Sequence, residues 1–454
     1  MLRKHDWFNY LNAHVVEILQ SKDEGKEVGD YAQIVEELNA LSFDDPKRAR
    51  MLDEFLDQLA ALETKVQDYP YVEPSDLEGI KKARPQTAGK YVKKDTGLDE
   101  KVLYDKVYGA WLGRSAGCLL GKPLECMQRD RIRGILTDTG NYPIQYYVSS
   151  NVSEDIIKKY NMLQFAKDAY IDRVSCMPED DDINYTVLGL KLLEKKGVEF
   201  TPEDVAERWL SDLPILHLAT AELIAYRNIV NRMYPPLSAT YRNPYREWIG
   251  AQIRGDFFGY INPGNPELAA EMAWRDASIS HIKNGIYGEM FIAAMLSWSA
   301  VCNDMEEIID AGLSQIPDQC RLSEKIRMVL EWKRKGMNWE QAIDEVHTIY
   351  NPLNSHHAVH TISNAMIVVL GLLFGEKDFE KTIGISVMAA FDTDCNGATA
   401  GSIAGMILGA GALPEKWINP LNDTIISGVD GFRMVKISEL AERTVRLIYK
   451  NEGR

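Results

Sequence analysis

The segment Phe391-Asp392-Thr393-Asp394-Cys395-Asn396-Gly397-Ala398-Thr399-Ala400-Gly401-Ser402-Ile403-Ala404-Gly405 sets two carboxylates, one residue apart, ahead of a run of small residues at helical spacing. The short side chains of Gly401, Ala404 and Gly405 allow a neighbouring backbone to come close, so the stretch predicts a charged, oxygen-rich loop opening onto a tightly packed helix. Carboxylate and hydroxyl oxygens are hard ligands suited to magnesium, calcium or manganese, which makes the loop a candidate metal site. An Asp N-cap on an ordinary buried helix accounts for the same residues.

A second acidic cluster lies far upstream. Met177-Pro178-Glu179-Asp180-Asp181-Asp182-Ile183-Asn184-Tyr185-Thr186-Val187-Leu188 runs four acids into an apolar segment of helical period. Acids at a helix start complement the macrodipole and the unpaired N–H groups, so a solvated, well-capped first turn is one reading. Four adjacent carboxylates also repel one another beyond what capping needs, and a divalent cation relieves that repulsion directly. Two such clusters, each opening an apolar helix, point to one shared cation site.

A third segment, Val107-Tyr108-Gly109-Ala110-Trp111-Leu112-Gly113-Arg114-Ser115-Ala116-Gly117-Cys118-Leu119-Leu120-Gly121-Lys122-Pro123-Leu124-Glu125, reads as a Gly/Ala-punctuated helix ending in a loop with a glutamate. The Gly-xxx-Gly spacing would suit a membrane dimer, but Arg114 and the flanking charge favour a close-packing helix of a soluble protein. Taken in order, these three segments resemble the ADP-ribosylglycohydrolase family, which includes the dinitrogenase reductase-activating glycohydrolase and the ADP-ribosyl-serine and ADP-ribosyl-arginine hydrolases. The resemblance covers roughly residues 100 to 450 and implies a compact many-helix fold, a divalent-metal cofactor of two magnesium or manganese ions, and hydrolysis of the glycosidic bond of an ADP-ribosyl or related ribosyl conjugate. The substrate it implies is a free or protein-borne ADP-ribosyl group.

Residue by residue, the resemblance implies Asp181 and Asp182 at the family's paired aspartates and Asp180 at the preceding threonine. A register shifted by one uses Glu179, Asp180 and Asp181 instead. Asp392 and Asp394 match the family's Asp-x-Asp, and Cys395 stands where a Thr or Ser hydroxyl commonly ligates a metal. A neutral thiol is a poor magnesium ligand, so this departure points to a weakened or manganese-preferring position. Glu125 matches a functional glutamate of some members and is the candidate catalytic carboxylate for an oxocarbenium-like step. The family's aspartate within the glycine-rich helix is Cys118 here. Two rival readings stay open: a hydrolase of a small nucleoside-type ribosyl metabolite, and a non-catalytic ADP-ribose-binding relative, the latter favoured by the departures at Cys118 and Cys395.

Between the acidic clusters, Trp248-Ile249-Gly250-Ala251-Gln252-Ile253-Arg254-Gly255-Asp256 and Ser278-Ile279-Ser280-His281-Ile282-Lys283-Asn284-Gly285-Ile286-Tyr287 are rich in glycine, amides and aromatics. Such composition suits a nucleotide held by backbone N–H groups and ring stacking. Gly250, Gln252, Arg254, Asp256, His281 and Tyr287 are the candidate substrate-binding residues. His281 resembles the family's substrate-contacting histidine, while Arg254 and Asp256 can equally form a simple loop ion pair.

Composition is consistent with this. The chain of 454 residues is 45% hydrophobic and carries a net charge of -16, which argues against nucleic acid as a partner. Its cysteines (118, 126, 176, 302, 320, 395) form no CxxC pair and read as free thiols of a reducing cytoplasm. Met1 to Trp7 leads into no apolar signal region, and no stretch is long enough to span a membrane, so a cytoplasmic location is expected. His356, His357 and His360 cluster, and helical spacing would put His356 and His360 on one face. Residues 1–95 read as a helical N-terminal extension with a Pro-rich connector and residues 96–454 as the catalytic domain. Helix-period segments follow one another through the body, and the longest alternating stretch is only Ile144-Gln145-Tyr146-Tyr147-Val148, so the fold class is all-α.

Overall fold

The computed structural model describes residues 13–65, 69–93, 97–163 and 166–452. The beginning of the helical extension, from Trp7 to residue 12, lies outside the described residues. The helices that position the site are α1 (Ala13–Asp23), α2 (Pro46–Ala60), α3 (Glu100–Gly121), α4 (Asp181–Lys196), α5 (Thr220–Val230), α6 (Pro266–Ala277), α7 (Lys283–Ser299), α8 (Thr361–Gly375), α9 (Phe379–Met388), α10 (Thr393–Leu408) and α11 (Ile437–Glu452). Two short antiparallel strands, β1 (Thr424–Ile426) and β2 (Met434–Lys436), form a hairpin with Ile425 opposite Val435. The all-α expectation holds. Ile144–Val148 is not a strand: the Asn141 carboxamide accepts the N–H groups of Gln145 and Tyr146 in a local turn, and Tyr147 and Val148 bury into the core.

The pair α3 and α10 forms the axis of the body. Gly109, Gly113, Gly117 and Gly121 face Gly405, Gly401, Gly397 and Thr393 in antiparallel register, backbone against backbone. A Cβ on Gly109 would stand 2.5 Å from the Gly405 carbonyl oxygen, and one on Gly117 or Gly401 would collide with the opposite backbone outright. The four-residue glycine period thus finds its partner in the small-residue stripe of α10. Being antiparallel, the pair carries the C-terminal end of α3 to the N-terminal end of α10, where the Thr393 hydroxyl donates to the Gly121 carbonyl at 2.8 Å.

Around this axis lies one large apolar core running from Ile80 to Ile448. Nearly every residue of α7 and α8 is buried, which fits their lack of a polar face. The extension has a small core of its own, built on Leu38, Leu52, Phe55, Leu56 and Leu59. Val16 of α1 packs on Ala221, Ile224, Tyr245 and Trp248 of the body. Its docking is also electrostatic: Arg246 donates to Glu17 at 2.6 and 2.9 Å and to Glu24 at 2.7 Å, all buried. The connector is fixed as well, with Trp274 donating to the Ser75 carbonyl at 2.9 Å and Arg321 to Glu73 at 2.9 Å.

Candidate metal centre

The acidic clusters meet where three helix ends converge. Asp180 is the N-cap of α4, its Oδ1 accepting the Asp182 backbone N–H at 2.9 Å. Asp392 is the N-cap of α10, placed by a turn in which Ala390 and Phe391 both hold left-handed backbone at φ of 64° and 63°. Neither residue favours that region, so the turn stores strain at the site. The Asn364 side-chain carbonyl of α8 anchors it, accepting the Asp392 N–H at 3.1 Å and the Asn396 amide at 2.8 Å. Ligand atoms of Asp182, Asp394 and Cys395 lie within 4.8 Å of one another, and so do those of Cys118, Asp180 and Asp182.

Two basic residues of the α3 segment hold this acid. Arg114 is fully buried; it donates to the Asp182 carbonyl and the Ile253 carbonyl, both at 2.7 Å, and pairs with Asp182 at 3.2 Å and Asp256 at 2.9 Å. Lys122, just past the end of α3, donates its ammonium to Asp180 Oδ2. Asp180 therefore has both oxygens engaged, whereas Asp182 Oδ2 and Asp394 Oδ1 are buried without a hydrogen-bond partner. Unpartnered anionic oxygens in an interior are costly unless a cation or proton satisfies them. The donor set fits a divalent ion at Asp182, Asp394 and Cys395.

The carboxyls record the crowding. Burial, with the charges of Asp180 and Asp394, pushes Asp181 up to about 8. Burial and Asp180 hold Asp182 well above the carboxylate range against the pull of Arg114. Asp392 is raised by burial and by Asp394, and Asp394 by burial and Asp180. Asp180 alone lies below its usual value: burial would raise it, but the Lys122 ammonium outweighs that. The Asp394 charge, then burial, lift Glu125 well above the usual range. Glu125 is half-buried just beyond Lys122, in the loop where Cys126 turns through φ 60°. Burial raises the thiols of Cys118 and Cys395 far above their ordinary value.

The residues expected to bind a nucleotide are placed differently. Gln252, Arg254, Asp256, His281 and Tyr287 are buried in the interior. Arg254 donates to Glu222 at 2.7 Å, to Ser280 at 3.1 Å and to Asp276, with its guanidinium over the Trp209 ring at 5.1 Å. Asp256 pairs with Arg114, so it stands one residue behind Asp182. The Tyr287 hydroxyl donates to the Pro74 carbonyl of the connector. His281 takes its Nδ1 to the Ser280 hydroxyl at 2.8 Å and turns Nε2 to within 3.9 Å of Glu222. Of this group only Gly250 is half-exposed, and a Cβ there would run into the Glu222 carboxylate. The Arg254 guanidinium is so fully paired that it has no donor left for a ligand, whereas Gln252 Nε2 and Oε1 and His281 Nε2 are buried without a hydrogen-bond partner.

An open cleft of about 720 Å³ adjoins the acidic helix start, lined by Glu179, His217, Tyr226, Ser427, Gly428 and Arg433 among others. Glu179 accepts from Asn184 at 3.0 Å and pairs with the His217 ring, so it faces this cleft and not the cluster. His356 and His360 do not share a helix face: His360 is the N-cap of α8, and with Asp23 they form a separate cluster under α1. All the cysteines are free. Among the described residues no helix is long and apolar enough to cross a membrane.

Sequence reasoning missed Lys122, Glu222 and Asn364, and used Arg114 only to argue against a membrane helix. An arginine among glycine, alanine and leucine was the available signal, because buried arginine is rare unless paired. No curated protein matches the chain. A solved structure described as an ADP-ribosylglycohydrolase-related protein complex is similar at 18% identity and a TM-score of 0.49, covering 77% of this chain and 99% of that one. The family model for ADP-ribosylglycohydrolase matches residues 99–454, the whole body from the start of α3. The chain belongs to the ADP-ribosylglycohydrolase family.

Proposed function

We propose that the protein is a divalent-metal-dependent glycohydrolase that cleaves the glycosidic bond of an ADP-ribosyl or related ribosyl conjugate. The observation that carries this reading is the meeting of Asp182, Asp394 and Cys395 around unpartnered, buried carboxylate oxygens, with Glu125 in the adjoining loop. A magnesium or manganese ion bound there would neutralise the carboxylates, grip ribose hydroxyls and lower the pKa of a water. The chain's own groups do the rest. Glu125 assists the departing bond at the oxocarbenium-like stage. Arg114 fixes the Asp182 carboxylate from behind, and Asn364 holds the Asp392 turn.

Asp182→Asn combined with Asp394→Asn should abolish manganese and magnesium binding in calorimetry while the helical circular dichroism signal persists; retained affinity sinks the metal assignment. Glu125→Gln should lower kcat on an ADP-ribosyl conjugate by about 100-fold or more with KM little changed, since the carboxyl acts mainly on the transition state. A second reading, binding without turnover, is favoured by the two thiols in the clusters, Cys118 and Cys395. Under that reading the unmodified protein binds ADP-ribose and releases none from any conjugate, and Glu125→Gln changes nothing.

A further inference from the structure

We infer that Lys122 takes the place of one cation, so that the centre holds a single divalent ion, at Asp182, Asp394 and Cys395. This rests on the metal-dependent reading above and concerns what this chain's own residues do to it.

The two candidate groups of ligands share Asp182 but differ in what already occupies them. In the group of Cys118, Asp180 and Asp182, the Asp180 carboxylate is spoken for on both sides, by the Lys122 ammonium at Oδ2 and by the Asp182 backbone N–H at Oδ1. Lys122 sits at the C-terminal end of α3, where the helix dipole and the free carbonyls favour a positive charge, and its side chain is mostly buried. A divalent ion at Asp180 would have to displace the ammonium or stand against it at like-charge contact. Each group contains one buried thiol, Cys118 in this one and Cys395 in the other, so the sulfur does not separate them and the ammonium does.

In the other group no carboxylate oxygen is hydrogen-bonded to the ammonium, whose ion pair goes to Asp180, although its charge also reaches Asp394. Asp182 Oδ2 and Asp394 Oδ1 are buried and free of hydrogen-bond partners, and each of the two residues offers a carboxylate oxygen within 4.8 Å of the Cys395 sulfur. Asp180, Asp181, Asp182, Asp392, Asp394 and Glu125 crowd this corner, and the fixed positive charges set against them are Lys122 and Arg114. A lysine tethered by the chain supplies at Asp180 the neutralisation that a second ion would bring, without any dependence on metal concentration.

The full chain, stripped with a chelator and dialysed, should bind one manganese ion in calorimetry and give a six-line, uncoupled Mn(II) paramagnetic resonance spectrum. Lys122→Ala frees Asp180 and leaves room for an ion with its waters, so it should bind two ions and show the broadened spectrum of a spin-coupled pair. Lys122→Arg, which keeps the charge, should stay at one. Lys122→Gln carries the same expectation as the alanine variant and replaces it if that protein does not fold. Two ions in the unmodified chain, or one in the uncharged variants, overturn the inference and leave the metal-dependent reading standing. No ion in any of them overturns both.

Discussion

Arg114 shows what a single side chain does to this centre. It is fully buried, and its guanidinium serves Asp182, Asp256 and two backbone carbonyls from different parts of the chain. Removing one partner of a buried ion pair leaves uncompensated charge and typically costs about 3–5 kcal/mol. Arg114→Gln should therefore lower the unfolding free energy obtained from urea titration by an amount in that range. A loss under about 1 kcal/mol would mean that Asp182 and Asp256 simply take up protons, which burial already encourages in both. Cys395 offers a finer test. Its thiol tolerates manganese better than magnesium, so Cys395→Thr should raise magnesium affinity relative to manganese by up to about tenfold, a single-ligand effect. An unchanged ratio in calorimetry would mean that the sulfur does not face the ion. The acids of this site were legible in the sequence because carboxylates cluster visibly; the bases were not, because Lys122 and Arg114 act across helices whose pairing only the folded chain reveals.

At the level of elements, the α3–α10 contact decides where chemistry can sit. Glycines four residues apart on both helices bring the two backbones together, and the antiparallel register delivers Glu125 to Asp392 and Asp394. A methyl group at Gly117 has no room, since the opposing atom is the Gly397 carbonyl and not the end of a flexible side chain. Gly117→Ala should destabilise the fold by about 1–3 kcal/mol, the usual range for overpacking, and should weaken manganese binding as well by parting the helix ends. Loss of stability with unchanged affinity would show that the ends are held by other contacts, such as the Thr393 hydroxyl on Gly121. The helices themselves were readable from periodicity, and so was their need for close partners. The buried fate of Arg254 and Tyr287 was not, because glycine, amide and aromatic residues serve a nucleotide pocket and a polar core equally well, and only long-range contacts of Arg254 with Glu222 and Ser280 and of Tyr287 with Pro74 separate the two.

Across the whole molecule, the extension before the family-matched region is wired to the body by charge. Arg246 carries Glu17 and Glu24, and Asp23 reaches the His356 ring at 3.0 Å. Burial alone would raise Glu24, yet Arg246 holds its carboxyl far below the ordinary range. Asp23 is likewise lowered, burial being outweighed by the hydrogen bond and charge of the histidines. A carboxyl depressed in the folded state stabilises docking above its unfolded pKa, near 4, and loses that contribution as the pH falls through the window down to its folded value. For Glu24 the loss is about 1.4 kcal/mol per pH unit below about 4.3, because the undocked carboxyl takes up a proton there while the docked one stays ionised beside Arg246. The small core under the extension, built on Leu52, Phe55 and Leu59, is separate from the main one and gives no compensating hold on the body. Lowering the pH from about 6 to about 3.5 should therefore raise hydrogen exchange in α1, corrected for intrinsic rate, before the amides of α7 and α8 respond. If α1 keeps its protection until the whole protein melts, apolar contact of Val16 with Trp248 and its neighbours holds the extension, and the ion pairs only orient it.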